Sequence, residues 1–239
     1  MRNSQGFGLE IIVDGRPLQE FGHEGKTYFP AEVGKEFALR VIVPYGRRFE
    51  AVTSVDGLDV LTGKLASTTN SGYVITNSAD IRGFRLNDDE VARFEFLPKG
   101  GSYAKLTSRP ANVGVIGLVL FAEYQRPVLS RRRFEDFGFE SLERGGGAHT
   151  YGGATRGSAK GGLEHSVGAG FGARTEDHVE RVHFVRGTEA ARIVLEYDTR
   201  EKLIEAGIIK EPAFAAVDAF PGDAKRAITG CLPPAGWPD

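Results

Sequence analysis

Apolar and polar residues alternate at period two over residues 9–124, and glycine, proline and Asp-Gly pairs interrupt the alternation at short intervals. Successive side chains of a β-strand point to opposite faces of the sheet, so the alternation predicts short strands with one buried face. Phe37, Leu39 and Val41, for example, fall on one face of a single strand. Many short strands joined by turns are typical of a sandwich or barrel. We therefore expect residues 1–125 to form an antiparallel β sandwich domain, with a jelly roll as one form of it.

Several segments of this domain have the composition of strands. They are 36–43, 49–55, 58–61, 73–75, 81–86, 91–96 and 113–124. Asp56-Gly57, between the second and the third, suits the positive backbone angles of a tight hairpin turn. The last segment is apolar on both faces and rich in β-branched residues, which indicates a strand in the middle of a sheet. A buried helix through Ile116 is the alternative interpretation of that segment.

The chain changes character after residue 125. Residues 126–175 combine basic and aromatic side chains with a glycine-rich run, in which 11 of the 28 residues from 145 to 172 are glycine. Glycine loses the most backbone freedom on ordering, so this composition predicts a connector between two structured parts. Prolines disfavour long regular structure in residues 211–239. We therefore expect an extended tail, in which apolar side chains such as Trp237 lie in irregular sequence.

Residues 176–210, between the connector and the tail, are expected to form a β-hairpin and a helix. The hairpin would have strands at 181–185 and 192–197. Asp198 is the predicted helix cap, and Gly207 is the predicted left-handed residue at the helix exit.

The composition argues against several classes of protein. The formal net charge is -2, so bulk charge gives no reason to expect nucleic-acid binding. The single cysteine, Cys231, rules out an intrachain disulfide. The first residues lack the apolar run of a secretory signal, and no apolar run approaches the roughly 20 residues of a membrane-spanning helix. We therefore expect a cytoplasmic protein without membrane insertion.

Two glycine motifs resemble nucleotide-binding loops but fail on spacing. Gly25-Lys26-Thr27 ends like a phosphate-binding loop, yet the required earlier glycine is replaced by Glu20, which would repel phosphate. A polar turn between strands is the preferred interpretation. The run 168–172 follows no predicted strand and lacks the last glycine of the dinucleotide fingerprint, so it is interpreted as flexible connector.

Ser102 and Lys105 have the spacing of the serine and lysine in penicillin-recognising acylases, but the companion elements of that site are absent from the sequence. A loop is the preferred interpretation. Histidines are common metal ligands, yet no two of them have helical ligand spacing, so we expect separate, locally bonded side chains. They are His23, His149, His165, His178 and His183.

Acidic residues gather in the turn Asn87-Asp88-Asp89-Glu90, and hard oxygen donors of this kind suit calcium. Further ligands for a divalent cation would have to come from other loops, with Asp56, Asp59 and Asp80 as the candidates. A turn of solvated acids is preferred over a bound cation.

The basic run Arg131-Arg132-Arg133 could contact phosphates or an acidic partner surface. Three charges alone would make only a weak, salt-sensitive contact with nucleic acid, so a solvated face is preferred.

Three segments are similar to those of a bacterial group of uncharacterised proteins. They are Val55-Asp56-Gly57-Leu58-Asp59-Val60 with Gly63-Lys64, the run Asn112 to Phe121, and Tyr197-Asp198-Thr199-Arg200-Glu201 through Gly207-Ile208. No activity is securely assigned to that group, so the resemblance implies no functional residue.

No catalytic, cofactor-binding or metal site is therefore assigned from the sequence. The leading hypothesis is a non-enzymatic structural or protein-interaction component of a larger assembly, such as a phage-derived or cell-associated particle. Its connector and tail would dock on neighbouring subunits or on a protein partner, and deleting residues 212–239 would weaken that association.

Two other functions stay open at the level of the sequence. One is a carbohydrate-binding β-sandwich module with an aromatic platform. Its candidate aromatic residues are Tyr73, Tyr103, Tyr124 and Tyr151. The other is an enzyme whose residues meet only in three dimensions.

Overall fold

The computed structural model describes residues 2–107, 112–125 and 164–210, and these form two β-sheets packed against each other. The first sheet contains β1 (Gly8–Val13), β2 (Arg16–Pro17), β5 (Glu36–Ile42), β9 (Ala79–Ile81), β10 (Gly83–Arg85), β11 (Glu90–Pro98) and β13 (Val167–Glu176). The second contains β3 (Phe21–His23), β4 (Lys26–Ala31), β6 (Phe49–Val55), β7 (Leu58–Asp59), β8 (Tyr73–Ile75), β12 (Val115–Glu123) and β14 (Arg186–Thr199). The β sandwich predicted from the alternation is confirmed.

Nearly all strand pairs are antiparallel. In the first sheet, β5 lies between β1 and β11, and β11 also pairs with β10 and β13. In the second sheet, β12 lies between β6 and β14, and β14 pairs in parallel with β4. Two short helices, α1 (Tyr103–Leu106) and α2 (Arg200–Glu205), follow β11 and β14.

The core lies between the two sheets and is rich in aromatic rings. Phe37 of β5 stacks on Phe94 and Phe96 of β11, with ring centroids 5.2 and 4.1 Å apart. Tyr197 of β14 reaches the same group from the opposite sheet, 5.3 Å from Phe96. Rings of this size bury large apolar areas, so this cluster holds the two layers together.

The strands predicted at 36–43 and 49–55 are confirmed as β5 and β6. Phe37, Leu39 and Val41 are buried in the core, as their shared face predicted. Asp56 and Gly57 have φ angles of 54° and 75°, and they form the predicted tight turn between β6 and β7.

The segment that was apolar on both faces is the strand β12 and not a helix. It pairs on both sides, with β6 and with β14, so it lies inside its sheet as predicted. Ile116, Leu118 and Leu120 point into the core, and Val119 on the other face is 8% exposed. The face toward the core is fully buried, while Val115, Gly117 and Phe121 on the other face are partly exposed.

Residues 167–176 differ from the predicted connector, since they form the ten-residue strand β13, which pairs with β11 along its whole length. The glycines here meet close neighbours. A Cβ on Gly168 would lie 2.5 Å from Ser102 Cβ, and one on Gly170 would lie 2.2 Å from Leu97 Cδ1. The interpretation of 168–172 as flexible connector was therefore wrong, because these glycines accommodate packed side chains.

Residues 181–197 also differ from prediction. Residues 181–185 are not a strand, and β14 is one continuous strand of 14 residues in place of the expected hairpin. The helix α2 follows directly, with Gly207 at φ 71° as predicted. Its cap is Thr199, whose hydroxyl accepts from Lys202 N, and not Asp198. Asp198 is bonded elsewhere, because its side chain is drawn into the interior.

Most of the connector and the tail lie outside the described residues, and so do Arg131-Arg132-Arg133, His149 and Tyr151. The described residues before 210 belong to one compact unit, in which β13 and β14 share the sheets of the strands before residue 125. Neither helix in the described part of the chain is long and apolar enough to span a membrane.

Candidate functional site

A buried carboxylate connects the two sheets. Asp56, in the turn after β6, is 1% exposed. Its oxygens accept hydrogen bonds from Gly114 N (2.9 Å), Ala169 N (2.7 Å) and the hydroxyl of Tyr197 (2.6 Å). These donors come from three different segments, so one side chain fixes the approach to β12, the start of β13 and the end of β14.

The burial of this group changes its acid–base chemistry. Loss of water raises the pKa of Asp56 to about 6, and the three hydrogen bonds to its charged form only partly oppose that rise. Burial and the neighbouring carboxylate also raise the pKa of Tyr197 well above its usual value. Asp56 therefore titrates near neutral pH, and Tyr197 stays protonated as a donor.

A second buried carboxylate holds the residues just before β13. Asp198 is fully buried and accepts from Ser166 N (2.9 Å) and from the Ser166 hydroxyl. The backbone oxygen of Ser166 accepts in turn from Lys99 N at 2.8 Å. The chain is thus fixed on both sides at the point where it enters β13.

His165 completes this group of contacts. Its Nδ1 lies 3.0 Å from the Tyr197 carbonyl oxygen, and its Nε2 lies 3.5 Å from Glu196 Oε2. The hydrogen bond from His165 and the ammonium of Lys26 at 2.8 Å hold the pKa of Glu196 down to about 2. The imidazole packs directly on Gly114, where a Cβ would lie 2.3 Å from the ring. We call Asp56, His165, Ser166, Tyr197 and Asp198 the β13 anchor.

The β13 anchor is a structural arrangement rather than a reaction centre. Its carboxylates accept from backbone and side-chain donors of the protein itself, and Asp56, Tyr197 and Asp198 are almost fully shielded from solvent. A catalytic group must reach the atoms of its substrate. The physical role of these contacts is to hold the first half of β13 in place.

The second half of β13 is an exposed sheet edge. Among the described strands, β13 pairs with β11 and with no other. Phe171, Ala173, Arg174 and Glu176 are all exposed, in contrast to the buried residues 167–170. Ala173 N donates to the side chain of Glu36 at 3.1 Å, but no backbone group of another described strand bonds the outer side of residues 171–176. This segment, which we call the β13 edge, presents unpaired backbone groups to solvent.

The direction of these backbone groups follows from their neighbours. Asp177 N donates inward, to Asp89 O of the β10–β11 hairpin. Ala169 N donates in the opposite direction, away from β11 and toward Asp56. Backbone groups alternate in direction along a strand. The N–H and C=O groups of Arg174 and Glu176 therefore point outward from the sheet, while those of Thr175 point toward β11.

A cleft of about 600 Å³ opens where the segment after β13 crosses toward the second sheet. Tyr73 and Arg85 form part of its wall: Arg85 Nε donates to the Tyr73 hydroxyl at 3.1 Å, and the guanidinium carbon lies 5.6 Å from the ring centroid. Asp177 holds Arg85 in place through Oδ1 at 2.8 Å and through its carbonyl oxygen. Burial raises the pKa of Tyr73, so its hydroxyl stays neutral.

The charges around this cleft are largely paired. Arg85 uses all three of its nitrogens on Tyr73 and Asp177. Arg181 lies 3.2 Å from Asp88 at the rim. Thr62, Ser71 and Val182 also line the cleft, and so does Glu180, so that its two arginines face two carboxylates. The cleft is therefore close to neutral and suits an uncharged ligand better than an anion.

The candidate calcium ligands do not come together. Asp59 accepts from Leu61 N and Thr62 N in its own turn, and Asp80 is bonded to Arg40 at 2.8 Å. Asp88 and Asp89 pair with Arg181 and His178. Each carboxylate has a protein donor, and the described residues contain no group of three or more potential metal ligands.

Other predicted candidates also have structural roles. Ser102 is fully buried and caps α1, where its hydroxyl accepts from Lys105 N and donates to Lys99 O. The expected loop there is a short helix, and the serine is shielded from any substrate. Gly25 lies in the turn between β3 and β4, as predicted. Among the described histidines, His165 and His178 are separately and locally bonded.

The described tyrosines do not form one platform. Tyr73 lines the cleft, Tyr103 packs on Phe171 with ring centroids 4.3 Å apart, and Tyr124 is exposed elsewhere. Sequence reasoning placed Asp56 in a turn and Asp198 at a helix cap. It did not predict the β13 anchor. The only feature of the sequence that pointed to the anchor was the position of two acidic residues, Asp56 and Asp198, at strand ends.

No known protein family, no curated protein and no solved structure matches this chain.

Proposed function

We propose that this protein is a non-enzymatic interaction component of a larger assembly, and that it binds its partner by strand addition at the β13 edge. The observation that supports the proposal is the contrast within one strand. Residues 167–170 are buried beside the β13 anchor, while Arg174 and Glu176 are exposed and direct their backbone groups outward.

Strand addition uses features that this edge has. An added strand obtains its affinity from main-chain hydrogen bonds and its specificity from alternate side chains. Proteins that avoid such contacts protect their edges with charged side chains, above all lysine, with proline, with bulges or with very short strands, and of these the β13 edge has Arg174, Glu176 and one bulge. The segment Phe171–Glu176 contains no lysine and no proline. A bulge opposite Ala92 and Phe94 adds local twist, which limits the accessible edge to its last residues.

The anchor makes this edge rigid before binding. Asp56 and Asp198 hold residues 166 and 169 through backbone hydrogen bonds, and β11 holds the inner side of the strand. A binding site that is already ordered loses less conformational entropy when its partner docks.

Arg174→Pro tests the proposal, because proline removes an outward N–H without removing a hydrogen bond to β11. Peptides displayed on phage would be selected on the full chain, and each selected peptide would then be measured on the variant by biolayer interferometry. We expect peptides with alternating side chains that bind the full chain and lose at least tenfold in affinity on Arg174→Pro.

The matched control is Arg174→Ala, which removes the same side chain but keeps the outward backbone donor. Selected peptides should bind Arg174→Ala within about threefold of the full chain. A selection that gives no peptides, or peptides insensitive to Arg174→Pro, would exclude strand addition at this edge.

A second function is favoured by the cleft beside Tyr73, which would bind a carbohydrate. Its volume of about 600 Å³ suits a small ligand, and it combines a half-buried aromatic ring with hydroxyl and paired charged groups. Sugars offer both apolar ring faces and hydroxyl groups, so a neutral lining of this kind matches their chemistry.

A glycan array separates this function from the first. Tyr73→Ala should abolish any glycan signal, while Tyr124→Ala, which removes an exposed tyrosine outside the cleft, should leave the signal unchanged. Absence of any glycan signal with the full chain would rule the carbohydrate function out.

A further inference from the structure

We propose that the strand added at the β13 edge is the β13 edge of a second copy of this chain, so that two sandwiches join through a continuous antiparallel sheet. This inference rests on the proposed function, and it specifies the partner. The argument depends on which backbone groups face outward and on the charges of the side chains beside them.

The backbone restricts the register of such a pair. In an antiparallel ladder, residues that exchange both hydrogen bonds must each direct their backbone groups toward the other strand. On the regular part of the β13 edge these are Arg174 and Glu176. Related by a two-fold axis, they can pair in three ways: Arg174 with itself, Glu176 with itself, or Arg174 with Glu176.

The charges select one of these registers. The first two place like charges directly opposite each other, which destabilises a strand pair. The third places Arg174 of each copy opposite Glu176 of the other, and it centres the two-fold axis on Thr175. This register forms two backbone-bonded pairs and two ion pairs of opposite charge, so the edge is complementary to itself.

The surroundings leave room for this arrangement. Arg174 and Glu176 are both exposed, and the side chain of Arg174 is 69% exposed, with Oε2 of Glu90 3.8 Å from its Nη1. Thr175 has inward backbone groups and accepts from Arg93 Nε at 2.8 Å, so at the axis it contributes a side chain and loses no existing contact.

The contact is small, so we expect a reversible dimer. Stable interfaces bury well over 1,000 Å² in total, which a pairing of a few residues does not reach alone. Exposed ion pairs contribute modestly, but reversal of a charge replaces two attractions by two repulsions. A single reversal should therefore weaken the dimer by about tenfold.

The experiment is sedimentation equilibrium of the full chain over a wide concentration range, with Arg174→Glu and Glu176→Arg. Each single variant should dimerise about tenfold more weakly than the unchanged protein, because it places like charges opposite each other in both pairs. An equimolar mixture of the two variants should form a heterodimer at least as tight as the original dimer, since every opposing pair is then of opposite charge.

The heterodimer of the two variants is the decisive result. No effect within one chain, including an altered contact between residue 174 and Glu90, can make two weakened variants associate with each other. The control is Glu189→Arg, which reverses one member of an exposed ion pair on β14 and should leave the dimer unchanged. Circular dichroism of each variant confirms that the fold is retained.

Two results would overturn the inference: an unchanged protein that is monomeric at every concentration, or two variants that dimerise no better together than apart. Either result would leave the peptide selection to decide whether the edge accepts a different strand, so the failure of this inference is distinguishable from the failure of the proposed function.

Discussion

The hydroxyl of Tyr197 donates a 2.6 Å hydrogen bond to Oδ1 of Asp56, and this contact joins the end of β14 to the turn after β6. Both side chains are almost completely buried. A buried carboxylate with too few donors is strongly destabilising, so the contact stabilises the fold mainly by satisfying Asp56.

Tyr197→Phe should lower the free energy of unfolding by about 1 to 3 kcal/mol, because it removes one of three donors from Asp56 and leaves the ring in place. Urea denaturation at neutral pH measures the change. Tyr124→Phe is the control, since Tyr124 is 53% exposed and should change stability by less than about 0.5 kcal/mol. Equal effects of the two substitutions would contradict a role of the hydroxyl in the anchor.

The stability of the protein should depend on the titration of Asp56. Its pKa is raised from 3.8 to about 6 in the folded state, so the folded state binds the proton more tightly than the unfolded state. The free energy of unfolding should therefore fall by up to about 3 kcal/mol as the pH rises from 3.8 to 6. Above pH 6 the contribution of Asp56 should not change further.

Asp56→Asn isolates this contribution, although it also lowers stability overall because its amide group faces the N–H of Ala169. Glu196 acts in the opposite sense, since its lowered pKa adds stability that is lost as pH falls below about 4.5. The free energy of unfolding of Asp56→Asn is therefore subtracted from that of the unchanged protein at each pH, which removes the contribution of Glu196 that both proteins share. A difference that stays constant from pH 4 to pH 7 would show that Asp56 does not titrate in this window.

Gly114→Ala should destabilise the protein more than Gly34→Ala. The two glycines have nearly the same φ, 84° and 85°, so alanine has a similar backbone strain of about 1 to 2 kcal/mol at either position. Only Gly114 packs on the ring of His165; a Cβ at Gly34 would meet nothing within 4 Å. The additional clash should cost about 1 to 3 kcal/mol more, measured by thermal unfolding. Equal losses would mean that His165 does not pack there.

Gly168→Ala tests the placement of β13 against α1. A Cβ at this position would lie 2.5 Å from Ser102 Cβ and 2.8 Å from Val113 Cγ1. We expect a loss of about 1 to 3 kcal/mol from overpacking, seen as a lower midpoint of urea denaturation. Gly100→Ala is the matched control, because Gly100 has open space around it. A neutral Gly168→Ala would favour the flexible connector over the strand.

Arg186→Lys should loosen the loop before β8. Arg186 Nε donates to Glu50, and its terminal nitrogens donate to the carbonyl oxygens of Thr68 and Asn70 at 2.7 and 2.6 Å. Lysine has no planar fork and cannot make these contacts together. Subtilisin should cleave within residues 67–71 several-fold faster in this variant. Arg192→Lys, which affects one exposed ion pair, should be cleaved at the original rate.

The hairpin around Asp56 shows how far local sequence reasoning extends. Alternation identified β6, and Asp-Gly identified the turn, because both depend on residues next to each other in the chain. The same reasoning failed at β13. Its glycines indicate flexibility when they are considered alone, but Gly168 and Gly170 face Ser102 and Leu97, which are distant in sequence.

The sequence by itself determined that this chain forms layered β-strands, because the side-chain period of a strand is a local property that the alternation displays directly. Only the tertiary structure decided that Asp56 and Asp198 turn inward to hold β13, and that the end of β13 pairs with a single strand among the described residues. Burial raises the free energy of an unpaired carboxylate so strongly that its position depends on donors from distant segments, and no local pattern records where those donors lie.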